Sequence, residues 1–399
     1  MSRIAIMLPK YSRYGGVEQF GYRLAGALAK RGHAVDFICA RQEAEPPEGV
    51  TVKAVGRPPG SRALKLLWFL VQAERLRKKG GYDLSISLGK TWNQDVSRMG
   101  GGPLRTFWEK SERALPEGRE RLVKRLKRRA SPYNWLTLLV EKHQFTKDSE
   151  VISVSHLVRD WLMQAHPDLA AERMRVVYNR PDPARYPWPT KEERAAAKLA
   201  LLQRLPKAFP PLLGEGAEEE SVEGAAAKPR VQTIGTASTN FELKGVGPLI
   251  RALALLPENT VLFIAGGRDH AAYDALAKEL GVAERVAFLG KVDDMPAFYR
   301  GLDVFILPTF YDACSNAVLE ALASGCKTVT SASNGAAFFL EQNAVLENPG
   351  DVAAMTAMLQ DKLEVPAPKR FDWPDDVPSG LDAFVELVEE AVEKKRGRA

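Results

Sequence analysis

Short apolar runs alternate with amphipathic stretches along both halves of the chain. IAIML, within residues 3–8, reads as a buried strand, and residues 17–30 repeat apolar side chains at helical spacing. Phe20, Leu24, Ala27 and Leu28 fall on one face of that helix, Arg31-Gly32-His33 ends it, and a strand follows over residues 33–39. A helix is predicted over about residues 63–79, and strands over 84–87, 150–154 and 175–178. The pattern resumes with strands at 231–234, 260–265, 285–289, 303–307 and 327–330, separated by helices at 248–256, 271–280, 295–300 and 316–323. Such alternation predicts an α/β class with two doubly wound, Rossmann-like domains. The division drawn from it is a first domain over 1–185, a linker or insertion over 186–230, a second domain over 231–380, and a final helix over 381–399. Residues 205–228 are rich in Gly, Ala, Glu and Pro without sustained periodicity, which predicts a mobile insertion.

Two motifs carry chemistry within the second domain. In FYDACSNAVLEALASG, residues 310–325, the apolar run LDVFIL ends at Pro308, so Asp312 falls at the carboxyl end of a strand. Ser315 is a suitable N-cap and Gly325 a suitable stop for the helix between them. The amides of that helix's first turn, with the positive end of its dipole, suit an anion or polar ligand, and Glu320 suits a ribose diol. An acid before a helix is also an ordinary capping aid, and a mid-helix Glu often faces water. The second motif is TIGTASTNFELKG, residues 233–245, in which a strand runs through small polar residues to Lys244 and Gly245. A lysine at a helix mouth after a parallel strand brings a point charge to where a leaving diphosphate accumulates negative charge.

Lys244-Gly245, together with Asp312, seven intervening residues and Glu320, resembles the C-terminal half of the retaining glycosyltransferases of family 4, whose fold is the two-domain GT-B type. KYSRYGGVEQFGYRLAGALAKRGHAV and LGKTWNQDVSRMGGG extend the likeness into the first half, and it is strongest to the lipopolysaccharide core glucosyltransferase I subfamily. The resemblance implies that the two domains face each other across a cleft that holds the active site. Lys244 would hold the donor diphosphate, Asp312 the hydroxyls of the transferred sugar and Glu320 the ribose. Ser315, Asn316 and Ala317 would line the sugar and phosphate, with Asn240, Gly266 and Val292 completing the donor set. Gly15 and Gly16 would let the first domain's backbone approach the donor, although a plain turn explains that pair equally. Lys90 and Asp95 match a Lys and an Asp on the acceptor side, Asp95 in a catalytic role, and turn residues are the alternative. Many members carry a second basic residue about five positions before the Lys. Here that position is Thr239, so neutralisation would lean on helix amides or on Arg268.

Composition changes this picture little. The 399 residues, 45% of them hydrophobic, suffice for two cores. Three scattered cysteines, Cys39, Cys314 and Cys326, fit neither a disulfide framework nor a metal cage. The five histidines lack ligand spacing, and Asp293-Asp294 and Asp375-Asp376 read as capping and solvated pairs. The expectation is therefore a metal-independent enzyme without a cofactor, using a nucleoside diphosphate sugar, UDP-glucose by resemblance, as co-substrate. Neither a secretion signal nor a membrane-spanning run is visible, which predicts a cytoplasmic protein.

Charge is distributed unevenly. Residues 104–130 hold ten Lys or Arg against four Glu, a local net of +6 equal to the formal charge of the whole chain. Phe107, Trp108, Leu115, Leu122 and Leu126 interleave with those charges. An amphipathic surface on anionic lipid at the inner face of the cytoplasmic membrane is the reading favoured, against a solvated helical face or RNA binding. No specific nucleic acid is expected. The function expected is retaining transfer of a hexose to a hydroxyl of a lipopolysaccharide-core or other glycan acceptor. The alternatives are a non-catalytic membrane- or nucleic-acid-binding protein on the same fold, or a nucleotide-sugar epimerase.

Overall fold

A computed structural model describes residues 1–145, 149–206, 231–267, 269–366 and 370–397. The chain divides into two compact units, one of Met1–Arg180 with Pro374–Ala399, the other of Pro181–Trp373. The boundaries fall a few residues ahead of the divisions at 185 and 380 drawn from sequence. Within the stretch expected to be linker, residues 191–202 are a helix of the second unit, and most of the proposed insertion lies outside the described residues.

In the first unit the order is β1 (Arg3–Met7), β2 (Lys10–Tyr11), α1 (Gly16–Lys30), β3 (Ala34–Cys39), β4 (Arg41–Gln42), β5 (Val50–Ala54), α2 (Arg62–Lys79), β6 (Leu84–Ser87) and β7 (Val96–Met99). Three successive helices, α3 (Leu104–Glu112), α4 (Arg119–Arg129) and α5 (Pro132–Phe145), precede β8 (Glu150–Ser153), α6 (His156–Ala165) and β9 (Met174–Val176). Seven strands form one sheet in the order β5-β3-β1-β6-β7-β8-β9, every pairing parallel. Because side chains alternate along a strand, Ile4 and Ile6 of β1 enter one core with Leu24 and Leu28 of α1. Ala5 and Met7 enter another, against Phe69 and Ala73 of α2. Both faces are thus covered, as an all-parallel sheet requires. The helix Gly380–Arg396 returns to this unit and inserts Phe384, Val385, Val388 and Val392 into the α1 core. Full burial of those four side chains contributes up to roughly 6–12 kcal/mol.

The second unit runs α7 (Lys191–Leu202), β10 (Gln232–Ala237), α8 (Val246–Leu253), β11 (Thr260–Ala265), α9 (Ala271–Glu279), β12 (Val286–Gly290), α10 (Met295–Arg300), β13 (Val304–Leu307), α11 (Asn316–Ala323), β14 (Lys327–Ser331), β15 (Val345–Leu346) and α12 (Val352–Glu364). The chain's last helix, described above, is α13. The sheet order is β12-β11-β10-β13-β14-β15, again parallel throughout. α8 starts at Val246, two residues before the expected start, with Pro248 in its first turn where the missing N–H costs nothing. A capping box at Thr190 and Glu193 starts α7, a T-x-x-E signature present in the sequence but not recognised there.

Each sheet has one topological switch. The chain moves outward from β1 to β3 and β5, then returns to β6 on the other side of β1, and from β10 to β11 and β12, then back to β13. Loops after the two strands flanking such a point diverge and leave a crevice at the carboxyl edge, where ligands bind in open α/β sheets. The loop after β10 carries Lys244, and the loop after β13 carries Asp312.

Candidate active site

The two switch-point loops of the second unit are joined to one another. Asn240 shapes the first: its Oδ1 accepts from the Leu243 amide at 3.1 Å, and its carbonyl accepts from the Lys244 amide at 3.1 Å. The Leu243 carbonyl in turn accepts from the Phe310 amide at 2.9 Å, across to the second loop. Gly245 has φ 69°, and a Cβ there would lie 2.2 Å from the Pro308 carbonyl oxygen, so only glycine permits this backbone contact. The Lys244 ammonium donates to Asp312 Oδ2 at 2.5 Å and to the Tyr311 carbonyl at 3.1 Å. Both side chains are mostly buried, 17% and 19% exposed.

A third loop, after β14, fixes Asp312 from the other side. The Asp312 amide donates to the Ser333 carbonyl at 2.9 Å, and the Asp312 carbonyl accepts from the Gly335 amide at 3.1 Å. Between them Asn334, 1% exposed, accepts from the amides of Ser315 and Ala336 and donates to Thr330 Oγ1. This corrects one expectation. Ser315 occupies the N-cap position of α11, but its side chain caps nothing and its amide is already taken by Asn334. Of the three residues expected to present amides, Ala317 is in the first turn, where a backbone N–H has no intrahelical acceptor, and Asn316 opens the helix.

Glu320 lies a turn further along α11 with partners of its own. The Tyr299 hydroxyl donates to its Oε2 at 3.0 Å, and Tyr186 adds a second phenol. Burial pushes the Glu320 carboxyl above the ordinary range, while the two phenols and Arg185 pull it back. Burial, and then the nearby Glu320 charge, raise both tyrosines. Neither phenol was anticipated; Tyr299 is 21 residues away in sequence on α10, and no local pattern links the pair.

The other residues expected in the donor set line the same carboxyl edge. Gly266, at the end of β11, has φ 85°, donates to the Gly290 carbonyl, and has no room for a Cβ, which would lie 2.3 Å from the Ser238 carbonyl oxygen. Val292 follows β12 and is half-buried. Arg268 lies outside the described residues. Asp294, next to Asp293, caps α10 by accepting from the Ala297 amide at 2.9 Å, in keeping with its reading as a cap.

In the first unit, Gly15 (φ 102°) is the N-cap of α1 and Gly16 its first residue. A Cβ on Gly15 would meet the Glu18 carboxylate at 2.4 Å, so that acid lies over the helix mouth. Lys90 follows β6 at the switch point, and burial depresses its ammonium while Glu141 opposes the shift. Asp95 is placed differently. It immediately precedes β7, where its Oδ2 accepts from the Ser85 amide at 2.7 Å and its Oδ1 from Lys395 at 2.8 Å. Ser85 stands near the start of β6, so Asp95 belongs to the amino side of the sheet, away from the edge where a parallel sheet binds ligands. Its position therefore speaks against an acceptor-side or catalytic role and for the turn-residue alternative. At the carboxyl edge the sequence reading missed Arg98 and His156. The Arg98 guanidinium lies 3.7 Å from the Phe20 ring centroid and donates to Asn179 Oδ1 at 2.9 Å. His156 follows the Ser155 cap of α6, pairs its Nδ1 with the Tyr178 hydroxyl at 2.9 Å, and is held below its ordinary pKa by burial. Ser155-His156 after an apolar strand was the available signal.

Comparison with known proteins places this arrangement. The model described as Glycosyltransferase Family 4 matches residues 14–87, and that described as Glycosyl transferases group 1 matches residues 228–364, each in one unit and the latter containing Lys244, Asp312 and Glu320. A family 4 glycosyltransferase domain is thus matched in the first unit and a glycosyl transferase group 1 domain in the second. The chain is 31% identical over 121 residues to the lipopolysaccharide core biosynthesis glycosyltransferase LpsE of Rhizobium meliloti, covering 30% of the chain and 36% of that relative. It is 30% identical over 145 residues to the lipopolysaccharide glucosyltransferase WaaG of Escherichia coli, covering 35% of the chain and 38% of that relative. The matches thus span little more than a third of those relatives' lengths. Among solved structures, WaaG superposes with a TM-score of 0.70 at 20% identity over 98% of this chain and 95% of that one. Anabaena HepE, in complex with UDP and glucose, superposes with a TM-score of 0.65 at 16% identity over 98% and 100%. These establish the GT-B fold.

Proposed function

We propose that this protein is a glycosyltransferase that moves a hexose from a nucleoside diphosphate donor to a hydroxyl of a lipopolysaccharide-core or related glycan acceptor, with retention of configuration. The observation that carries the reading is the contact of Lys244 with Asp312 across the switch-point loops, a cation and an acid held at the edge where this sheet type receives a ligand. When donor binds, the ammonium shares itself with the diphosphate and Asp312 turns to the sugar hydroxyls. The bond from the anomeric carbon to the diphosphate oxygen breaks, a bond to the acceptor oxygen forms on the same face, and the leaving phosphate takes the acceptor's proton. Charge develops on the diphosphate, where Lys244 and the α11 dipole stabilise it without a metal. Glu320, kept in place by Tyr299 and Tyr186, accepts from the ribose diol. UDP-glucose is the donor favoured, because WaaG is a glucosyltransferase and HepE is seen with UDP and glucose.

The acceptor reading is supported by likeness to the lipopolysaccharide core enzymes LpsE and WaaG, and the site of action by the basic segment. α3 and α4 carry its charges, and Leu122 and Leu126 of α4 stand more than half exposed. An anionic bilayer suits that surface, placing the protein as a peripheral enzyme at the inner face of the membrane. Among the described residues no helix is long and apolar enough to cross a membrane. Nucleotide release from a panel of nucleoside diphosphate sugars, with Lys244→Ala and Glu320→Ala as controls, tests the proposal. Release without transfer to any glycan hydroxyl, or interconversion of the sugar alone, overturns it.

A further inference from the structure

Helix α2 is apolar on two faces. Leu66, Phe69, Leu70 and Ala73 point inward, as the cover of a sheet should. Leu64, Leu67, Trp68 and Val71 repeat at helical spacing on the other side, and all four are between 39% and 54% exposed. A second apolar stripe on a surface helix calls for a second apolar neighbour. The helix packed beside it, α5, adds Trp135 and Leu139, 66% and 55% exposed. Of the sixteen large hydrophobic residues that are exposed among the described residues, nine lie on α2, α4 and α5. Scattered exposure needs no explanation, but concentration on three neighbouring helices does.

Between these helices lies a cleft of about 580 Å³. Phe107, Trp108 and Tyr133 give it aromatic walls, and Arg62, Lys124 and Lys127 stand around it. Arg62 lies over the Tyr133 ring, 4.8 Å from its centroid, and so ties the start of α2 to α5. The combination is an apolar stripe beside an aromatic cleft ringed with cations.

We infer that the α2 stripe and this cleft form a binding site for an anionic phospholipid, the phosphate held by Arg62 and Lys127 and the acyl region lying along Leu64, Leu67, Trp68 and Val71. The inference rests on the reading that residues 104–130 meet an anionic bilayer, and it adds a structural element from outside that segment. Charge complementarity selects the occupant. A second copy of this chain would bring its own cations to the same rim, whereas an anionic leaflet meets them with opposite charge and takes up the apolar stripe as well.

Sedimentation of the full chain with phosphatidylcholine vesicles, with and without phosphatidylglycerol, tests it. The variant Leu67→Ser with Val71→Ser should weaken binding to the anionic vesicles by about tenfold, from the lost apolar burial. Arg62→Glu with Lys127→Glu should weaken it at least as much, while nucleotide release in solution stays at the wild-type level. Unfolding temperatures show that both variants fold. Wild-type binding by the α2 variant, alongside loss in Leu122→Ser with Leu126→Ser, overturns the α2 site and leaves the basic-segment reading intact. Absence of wild-type binding to anionic vesicles overturns both readings of the surface, but not the sugar transfer, which nucleotide release reads separately. A wild-type dimer in light scattering that the α2 variant converts to a monomer also overturns it, by assigning the stripe to a second copy.

Discussion

Replacing Lys244 by Met keeps much of the alkyl stem and removes the charge, so two consequences separate. The Asp312 carboxylate, 19% exposed, loses a cation at 2.5 Å. At an effective dielectric of about 20, such an ion pair has a gross attraction of roughly 7 kcal/mol, most of which desolvation offsets. The net stability loss is then about 1–3 kcal/mol, or a fall of roughly 2–4 °C in Tm per kcal/mol for a domain of this size. Catalysis loses a charge aimed at the leaving diphosphate, for which a preorganised donor is worth about 10²–10³ in rate. The assay is kcat/KM for nucleotide release with saturating acceptor, alongside thermal unfolding of Lys244→Met, Asp312→Asn and the double variant. In the Asp312→Asn background, removing Lys244 should cost little further stability, because the pair is already broken. Activity should remain low in both backgrounds. A Lys244→Met enzyme within about twofold of wild-type kcat/KM would refute the reasoning, because no transition-state contact would then have been lost.

Three further outcomes follow from the geometry. Asn334→Ala strands the buried amides of Ser315 and Ala336, which should cost about 2–4 kcal/mol in urea unfolding and lower kcat/KM by loosening the Asp312 loop. Glu320 is raised by burial, so the folded chain holds its proton to a higher pH than the unfolded chain, whose Glu titrates near about 4.3. The stability this group contributes is complete below that value and is lost as pH rises through the folded pKa. Urea unfolding across a pH series should find that slope in the wild type and a flatter profile in Glu320→Gln. Asp95→Asn weakens the Ser85 and Lys395 contacts at the amino side of the sheet, so it should lower stability by about 1–2 kcal/mol and leave kcat/KM within about twofold of wild type. A rate loss far beyond the stability loss would return Asp95 to the reacting groups.

Most of the strands and helices of the two large sheets were legible from local order alone, because a period of two or of 3.6 reports which side chains seek cover. The same local order placed Lys244 before a helix and Asp312 after a strand, and the alternation of elements put both at a carboxyl edge. Periodicity was silent where a partner is distant. β5 and β7 were not expected, since VTVKA and VSRM are short and carry charges within them. Asn334 meets Ser315 across 19 residues, and Tyr299 meets Glu320 across 21, through registers that only the assembled sheet and helices define.

Direction, too, belonged to the tertiary structure. Lys90 and Asp95 are five residues apart, yet the crossing from β6 to β7 carries the chain from the carboxyl edge back to the amino side, so they part. The outward apolar stripe of α2 is written in the sequence as plainly as the inward one. Sequence determines that a residue is apolar; which of two apolar faces finds a protein neighbour is decided when the helix packs, because one helix can present only one face to its sheet.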